Sequence, residues 1–193
     1  MRTQFKQVIE KLNPAELVYV DESGLDASLN TDYARSPQGQ RVMSEKSGKR
    51  TARTSIIAGL NQGEPIAPWH FPGYCNTEGM LTWVEKELIP CLNPRMTVIW
   101  DNASFHKSPK LKSLIETAGC HLLFLPPYSP DLNPIEKWLA NLKALIRKIR
   151  TAKMTISRVL TKYLNCLVNC GISYTPMRSL SSIHSLEYLL NQL

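Results

Sequence analysis

Three acids in this 193-residue chain stand where chemistry can be done. Asp21 and Asp101 close apolar runs, Leu17-Val18-Tyr19-Val20 and Val98-Ile99-Trp100, the pattern of a buried strand ending on a carboxylate. Glu136 follows a loop stiffened by Pro126, Pro127, Pro130 and Pro134, each of which fixes one φ angle. Asn133 suits the N-cap of the helix that comes next, Pro134 its first position and Glu136 its third. Acids at strand ends lie on the rim of a sheet, where α/β folds gather ligands and reacting groups. Three carboxylates converging there repel one another unless a cation sits among them, and hard oxygen donors suit Mg²⁺ or Mn²⁺. Two such ions about 4 Å apart can activate a water and stabilise a leaving oxygen in phosphoryl transfer. Each acid alone has a plainer reading. A strand-end aspartate often only caps a turn, and Asn133-Pro134-Ile135-Glu136 fits a capping box in which Glu136 bonds back to the Asn133 amide.

The elements that must position these acids follow from periodicity. Residues 1–14 read as a short helix with Phe5, Ile9 and Leu12 on one side. Strands are expected at 16–22, 40–44, 54–60, 96–101 and 121–125, with a turn at Asn61-Gln62-Gly63 and an irregular aromatic loop at 65–74. Thr77 is expected to cap a helix that ends at Pro90, and Ser108 and Pro109 start another that Gly119 stops. From Pro134 to Arg150, the residues Ile135, Trp138, Leu139, Leu142, Leu145, Ile146 and Ile149 form a core-facing helical stripe. Helices are also expected at 156–167 and 183–190. The outcome is an α/β fold, a mixed five-stranded sheet with helices on both faces. The expected divisions are a short helix or linker at 1–14, a catalytic domain at 15–150 and a helical extension at 151–193.

Composition narrows the partners. A hydrophobic fraction of 43% and a charged fraction of 20% are those of a globular chain. No apolar run is long enough for a membrane span or a signal peptide, so the protein is expected to stay where it is made and away from membranes. A net charge of +7 and a pI near 9.2 favour a polyanion, nucleic acid first. The five cysteines, at 75, 91, 120, 166 and 170, are odd in number and lack C-x-x-C spacing, which favours buried thiols in a reducing compartment over zinc or disulfides.

Read together, VYVDESG, VIWDNASFHKS and LPPYSPDLNPIEKWLANLK closely resemble the catalytic domain of mariner-like DDE transposases, in their bacterial insertion-sequence (six-thirty family) branch. The resemblance covers residues 15–150, and 34 residues (102–135) separate Asp101 from Glu136, the spacing associated with the superfamily's triad. It implies an RNase H-like fold in which Asp21, Asp101 and Glu136 hold two Mg²⁺ ions, with Mn²⁺ able to substitute. It further implies cleavage at the terminal inverted repeats of a transposon and strand transfer into target DNA, typically at TA. A bacterial cytoplasm, in association with the nucleoid, and a homodimer on paired DNA ends go with that reading.

Other residues join this picture as candidates. Asn102, His106 and Lys107 follow the second aspartate closely enough to line the same site. At 100° per residue Lys143, Arg147 and Arg150 share a helix edge with Glu136 and can hold adjacent phosphates. Arg35, Arg41 and Arg53 belong to a basic stretch suited to the DNA backbone, although Tyr33-Ala34-Arg35-Ser36-Pro37-Gln38-Gly39 departs from the Trp-x-Pro-x-Gly pattern of bacterial relatives. Glu22 should point to the opposite face of its strand from Asp21. Only 20 residues precede Asp21, too few for the helix-turn-helix modules that mariner-like enzymes carry, so a separately encoded recognition subunit is the expected partner. The alternatives are a DNA-binding remnant without turnover, and a structure-selective RNase H-like nuclease. The isolated chain should bind DNA with little sequence preference and a steep loss of affinity with salt. A titration from low to moderate salt on terminal-repeat and unrelated duplexes checks this, and a salt-resistant preference for one sequence would contradict it.

Overall fold

The computed structural model describes residues 1–26, 36–41, 43, 52–102, 108–149 and 156–161. Five strands form one mixed sheet: β1 (Leu17–Asp26), β2 (Arg53–Asn61), β3 (Glu64–Pro72), β4 (Thr97–Trp100) and β5 (His121–Phe124). Their spatial order is β3-β2-β1-β4-β5. The β3-β2 and β2-β1 pairs are antiparallel, while β4 pairs with β1 and β5 with β4 in parallel. Four helices complete the named elements: α1 (Arg2–Ile9), α2 (Thr77–Trp83), α3 (Pro109–Thr117) and α4 (Pro134–Ile149). A mixed five-stranded sheet covered on both faces is the architecture expected from the chain.

One of the five strands was not expected, and one expected strand is not formed among the described residues. β3 occupies the segment read as an aromatic loop. Gln62 and Gly63 both adopt positive φ, 51° and 88°, which makes a two-residue turn whose twist suits a hairpin and returns the chain along β2. Pro65, Pro68 and Pro72 argued against a strand, yet β3 is an edge strand and tolerates missing amide donors. The strand expected at 40–44 is not formed at Gln40, Arg41 or Met43; Val42 and Ser44 lie outside the described residues. Cap assignments shift as well. Asn76, not Thr77, caps α2, its side chain accepting the Gly79 amide at 2.7 Å. Past Trp83 the helix widens into a π turn (Val84–Leu88) and a 3₁₀ turn (Ile89–Cys91) around Pro90. The thiols are not uniformly buried either: Cys120 is buried, Cys75 half-buried and Cys91 exposed, all three free.

Alternation along the strands sends apolar side chains to two cores. Leu25, Ile56, Ala58 and Leu60 meet α4 through Ile135, Leu139, Leu142 and Ile146. On the other face Val18, Val20, Ile57, Val98 and Trp100 meet Met80, Trp83 and Leu88 of the α2 region and Leu111 and Ile115 of α3. Trp83 and Trp100 meet edge to face, with centroids 6.0 Å apart, at the centre of this second core. A third cluster packs Phe5 of α1 against Leu17, Ile99 and Leu125. The helical segment 156–161 adds Ile156, Val159 and Leu160 to the α4 core, so the packed unit continues past residue 150. The helix expected at 183–190 lies outside the described residues. Among the described residues, no helix is long and apolar enough to cross a membrane.

Leu160 is fully buried. Leu160→Ala should therefore lower the stability of the whole domain by about 3 kcal/mol in urea unfolding. A cost under about 1 kcal/mol would mean that residues 156–161 do not belong to the core.

Candidate active site

The parallel pairing of β1 with β4 sets the first two acids. Leu17 pairs with Thr97, Val18 with Val98 and Tyr19 with Ile99, and the same offset carried two residues on brings Asp21 level with Asp101. Asp21 shares the parity of Tyr19, and Asp101 that of Ile99, so both acids belong to the face that α4 covers. β1 itself runs on to Asp26 alongside β2, with Asp21 opposite Ala58, so this acid ends the parallel pairing and not the strand. Glu136 reaches the same place from the first turn of α4. Asp21, Asp101 and Glu136 all line one cavity of about 400 Å³, with Asn102 beside them.

The wall of that cavity is the proline loop. The Leu125 amide donates to the Trp100 carbonyl at 2.8 Å, so the loop leaves the sheet directly beside Asp101. Pro126, Pro127, Tyr128, Ser129 and Pro130 follow as lining residues. A 3₁₀ turn (Pro130–Leu132) closes the loop, and the Asn133 amide donates to the Pro130 carbonyl at 2.9 Å. That bond occupies the amide that a capping box would have used. Nor does Asn133 act as a side-chain cap, because its buried Oδ1 has no hydrogen-bond partner. α4 is instead started by backbone geometry, the Glu136 amide donating to the Asn133 carbonyl at 3.2 Å. From behind, the Arg2 guanidinium donates to Ser129 Oγ at 3.1 Å and pairs with Asp131. Ser129 Oγ in turn donates to the Pro127 carbonyl.

The three acids differ in exposure, from buried Asp21 through half-buried Asp101 to exposed Glu136. Burial pushes the Asp21 carboxyl up to about 7, and the charge of Glu136 adds to it. The charges of Asp101 and Glu22 act in the same direction, opposed by the Glu22 amide, which donates to Asp21 Oδ1 at 2.8 Å. A buried carboxyl crowded by other acids is the electrostatic situation a divalent cation relieves. Among the described residues no three acids, histidines or cysteines are gathered tightly enough to enclose an ion by themselves. The acids share an open cavity, which fits Mg²⁺, an ion that keeps several waters and takes one or two carboxylates.

The remaining candidates separate clearly. Glu22 lies on the opposite face, near Cys75; burial and the neighbouring Glu22 carboxylate push the thiol up to about 12, and its Sγ donates to the Asn76 carbonyl at 3.7 Å. Lys143 is half-buried and Arg147 exposed, both on α4 along the edge that begins at Glu136. Arg53 lies with its guanidinium across Gly24, whose missing side chain makes the room, and 4.4 Å from the Tyr74 ring centroid. Arg41 is exposed beside a turn at 37–40. Neither arginine lines the cavity. Arg35, His106, Lys107 and Arg150 lie outside the described residues. Sequence reasoning passed over Arg2 and Tyr128, although an aromatic ring set among prolines that cannot fold it inward was a usable signal.

The fold and this cavity define an RNase H-like domain with acids gathered at the rim of its sheet. The family model of the DDE superfamily endonucleases matches residues 16–157, and the chain belongs to that family. In structure it resembles the Mos1 transposase paired-end complex with left transposon end (TM-score 0.63, 18% identity, 98% of this chain and 57% of that chain). It also resembles the Mos1 strand transfer complex (TM-score 0.66, 18% identity, 98% and 56%) and the isolated catalytic domain of Mos1 mariner transposase (TM-score 0.54, 15% identity, 98% and 85%). In sequence, the uncharacterized protein y4pE/y4sA of Sinorhizobium fredii (strain NBRC 101917 / NGR234) is 35% identical over 79 residues, 35% of this chain and 55% of that protein. The chain thus spans little more than half the length of that relative and of the Mos1 transposase in its DNA complexes.

Asp21 sets a pH dependence with a definite sign. Its folded value of about 7 stands above the ordinary 3.8, so the carboxyl favours the fold at low pH and opposes it increasingly as pH rises through 7. In metal-free buffer, Asp21→Asn should be more stable than the wild type at about pH 8, by on the order of 4 kcal/mol, with the two converging near pH 4. Urea melts across that range check this, and a variant less stable at every pH would contradict it.

Proposed function

We propose that this chain is the catalytic unit of an insertion-sequence transposase, which cleaves DNA at transposon ends and joins the freed 3′ end to target DNA. The observation that carries the reading is the convergence of Asp21, Asp101 and Glu136 on one cavity in a chain of the DDE endonuclease family. Solved Mos1 paired-end complexes with Mg and with Mn, and the Mos1 strand transfer complex, support it by likeness of fold. In this reading the three acids hold two divalent cations. The bound ions supply Lewis acidity for in-line displacement at phosphorus and lower the pKa of an attacking water or hydroxyl.

The protein's own part is to bind and orient. The carboxylates would hold the cations, and the cavity they line would take the reacting phosphodiester. The proline loop closes one side of the cavity, and Lys143 and Arg147 run from it along α4, spaced to neutralise successive phosphates. Sequence-specific recognition of the terminal repeats comes from a helix-turn-helix subunit outside these 193 residues, and two copies act on paired ends, with TA as the target. Residues 15–150 form the catalytic domain, extended by 151–193, and the protein works in the bacterial cytoplasm at the nucleoid.

The test is Mg²⁺-dependent nicking and strand transfer on pre-cut terminal-repeat DNA. Asp101→Asn should reduce turnover by roughly a hundredfold or more while leaving the melting temperature near that of the wild type. Nicking by Asp101→Asn at the wild-type rate would overturn the assignment of the acids. Faster cleavage of RNA–DNA hybrids or four-way junctions than of terminal repeats would favour a structure-selective nuclease. DNA binding without any turnover would favour a remnant.

A further inference from the structure

We propose that the Tyr128 ring is a stacking platform for an unpaired base next to the phosphodiester held in the acid-lined cavity. The proposal deepens the reading above and rests on DNA being the substrate of that cavity.

Tyr128 lines the cavity together with Asp21, Asp101 and Glu136, yet it is 98% exposed. Aromatic rings are among the side chains that gain most from burial, so a fully solvated one finds its partner elsewhere than in its own chain. Its backbone is also held at φ +52°, the left-handed region that glycine or asparagine occupies more cheaply than a bulky residue. Such a conformation persists only where neighbouring structure over-determines it, and here it does. Pro127 precedes the ring and Pro130 follows by two residues. Ser129 is pinned by Arg2 and to the Pro127 carbonyl, and Asp131 by Arg2 again. The loop therefore presents the ring outward on a stiff mount beside the acids. Tyr74, the other highly exposed tyrosine among the described residues, already has the Arg53 guanidinium over its face.

A rigid, solvent-facing ring at a phosphodiester-processing cavity matches the face of a base. Inside a duplex both faces of a base are covered by neighbours, so away from a terminal pair the ring can stack only on a base that is unpaired. Stacking of this kind is indifferent to base identity, since every base offers a π-face. It would hold the strand in place while the phosphate beside that base sits among the carboxylates, with Lys143 and Arg147 on the phosphates beyond. The hydroxyl has no part in it, so phenylalanine should serve as well as tyrosine.

The test uses the full chain and duplexes carrying 5-iodouracil at positions flanking the scissile phosphate, with that end either paired or frayed. Long-wavelength ultraviolet light crosslinks the halogenated base to a stacked aromatic ring, and peptide mapping finds the residue. The expected result is a crosslink at Tyr128 with the frayed end, kept in Tyr128→Phe and lost in Tyr128→Ala. Tyr128→Ala should also bind the frayed duplex roughly tenfold more weakly, with little change for the paired one. Crosslinking at other residues, with Tyr128→Ala binding both duplexes as the wild type does, overturns the proposal. If that occurs while nicking still depends on Asp101, the DNA-processing function stands without the platform. A Tyr128 crosslink in a chain that nicks no DNA supports the platform and removes the transposase reading instead.

Discussion

Like charges have to be held together in this protein, and that constraint shapes the domain. Asp21 is buried, and its neighbours Asp101 and Glu136 make it harder to ionise. Nothing in the acids' mutual interaction favours their meeting, so the scaffold has to impose it. Parallel pairing of β1 with β4 fixes the level of two of them, and those strands are anchored by buried residues on both faces. The third depends on α4, whose apolar face is sunk into the sheet through Ile135, Leu139, Leu142 and Ile146. Each of these buried side chains contributes roughly 1.5–3 kcal/mol relative to solvent. A few of them together exceed the electrostatic cost of gathering the acids.

The acids are graded as well as gathered. Asp21 belongs to the core, Asp101 to the margin where β4 ends, and Glu136 to the solvent side at the start of a helix. A substrate approaching the cavity therefore meets the exposed carboxylate and the proline loop first and the buried one last. Effective dielectric falls along the same direction, so interactions at the inner acid are the stronger. Glu22 points to the far face of β1 and leaves the cavity without a fourth lining acid among the described residues.

Much of this arrangement was legible in the chain, and the misses have physical causes. Asp21 and Asp101 were readable because each follows an apolar run that only a buried strand explains. Glu136 was readable because four prolines stiffen the approach to it. β3 was missed because Pro65, Pro68 and Pro72 look like a loop until its edge position makes their missing donors harmless. Asn133 was read as a cap on residue type alone, whereas its amide bonds back into the 3₁₀ turn before it and its Oδ1 has no hydrogen-bond partner. The clasp by Arg2 could not be read at all, since nothing local in the sequence joins residue 2 to residue 131.

That clasp has a consequence for how the domain matures. The contact between Arg2 and Asp131 spans 129 residues, so it closes almost the whole length of the catalytic unit into a ring. Closing so long a loop costs chain entropy that only an assembled sheet and its two cores can offset. The clasp can therefore hold only once the strands that carry the aspartates have paired. The three acids share a cavity only in the completed fold.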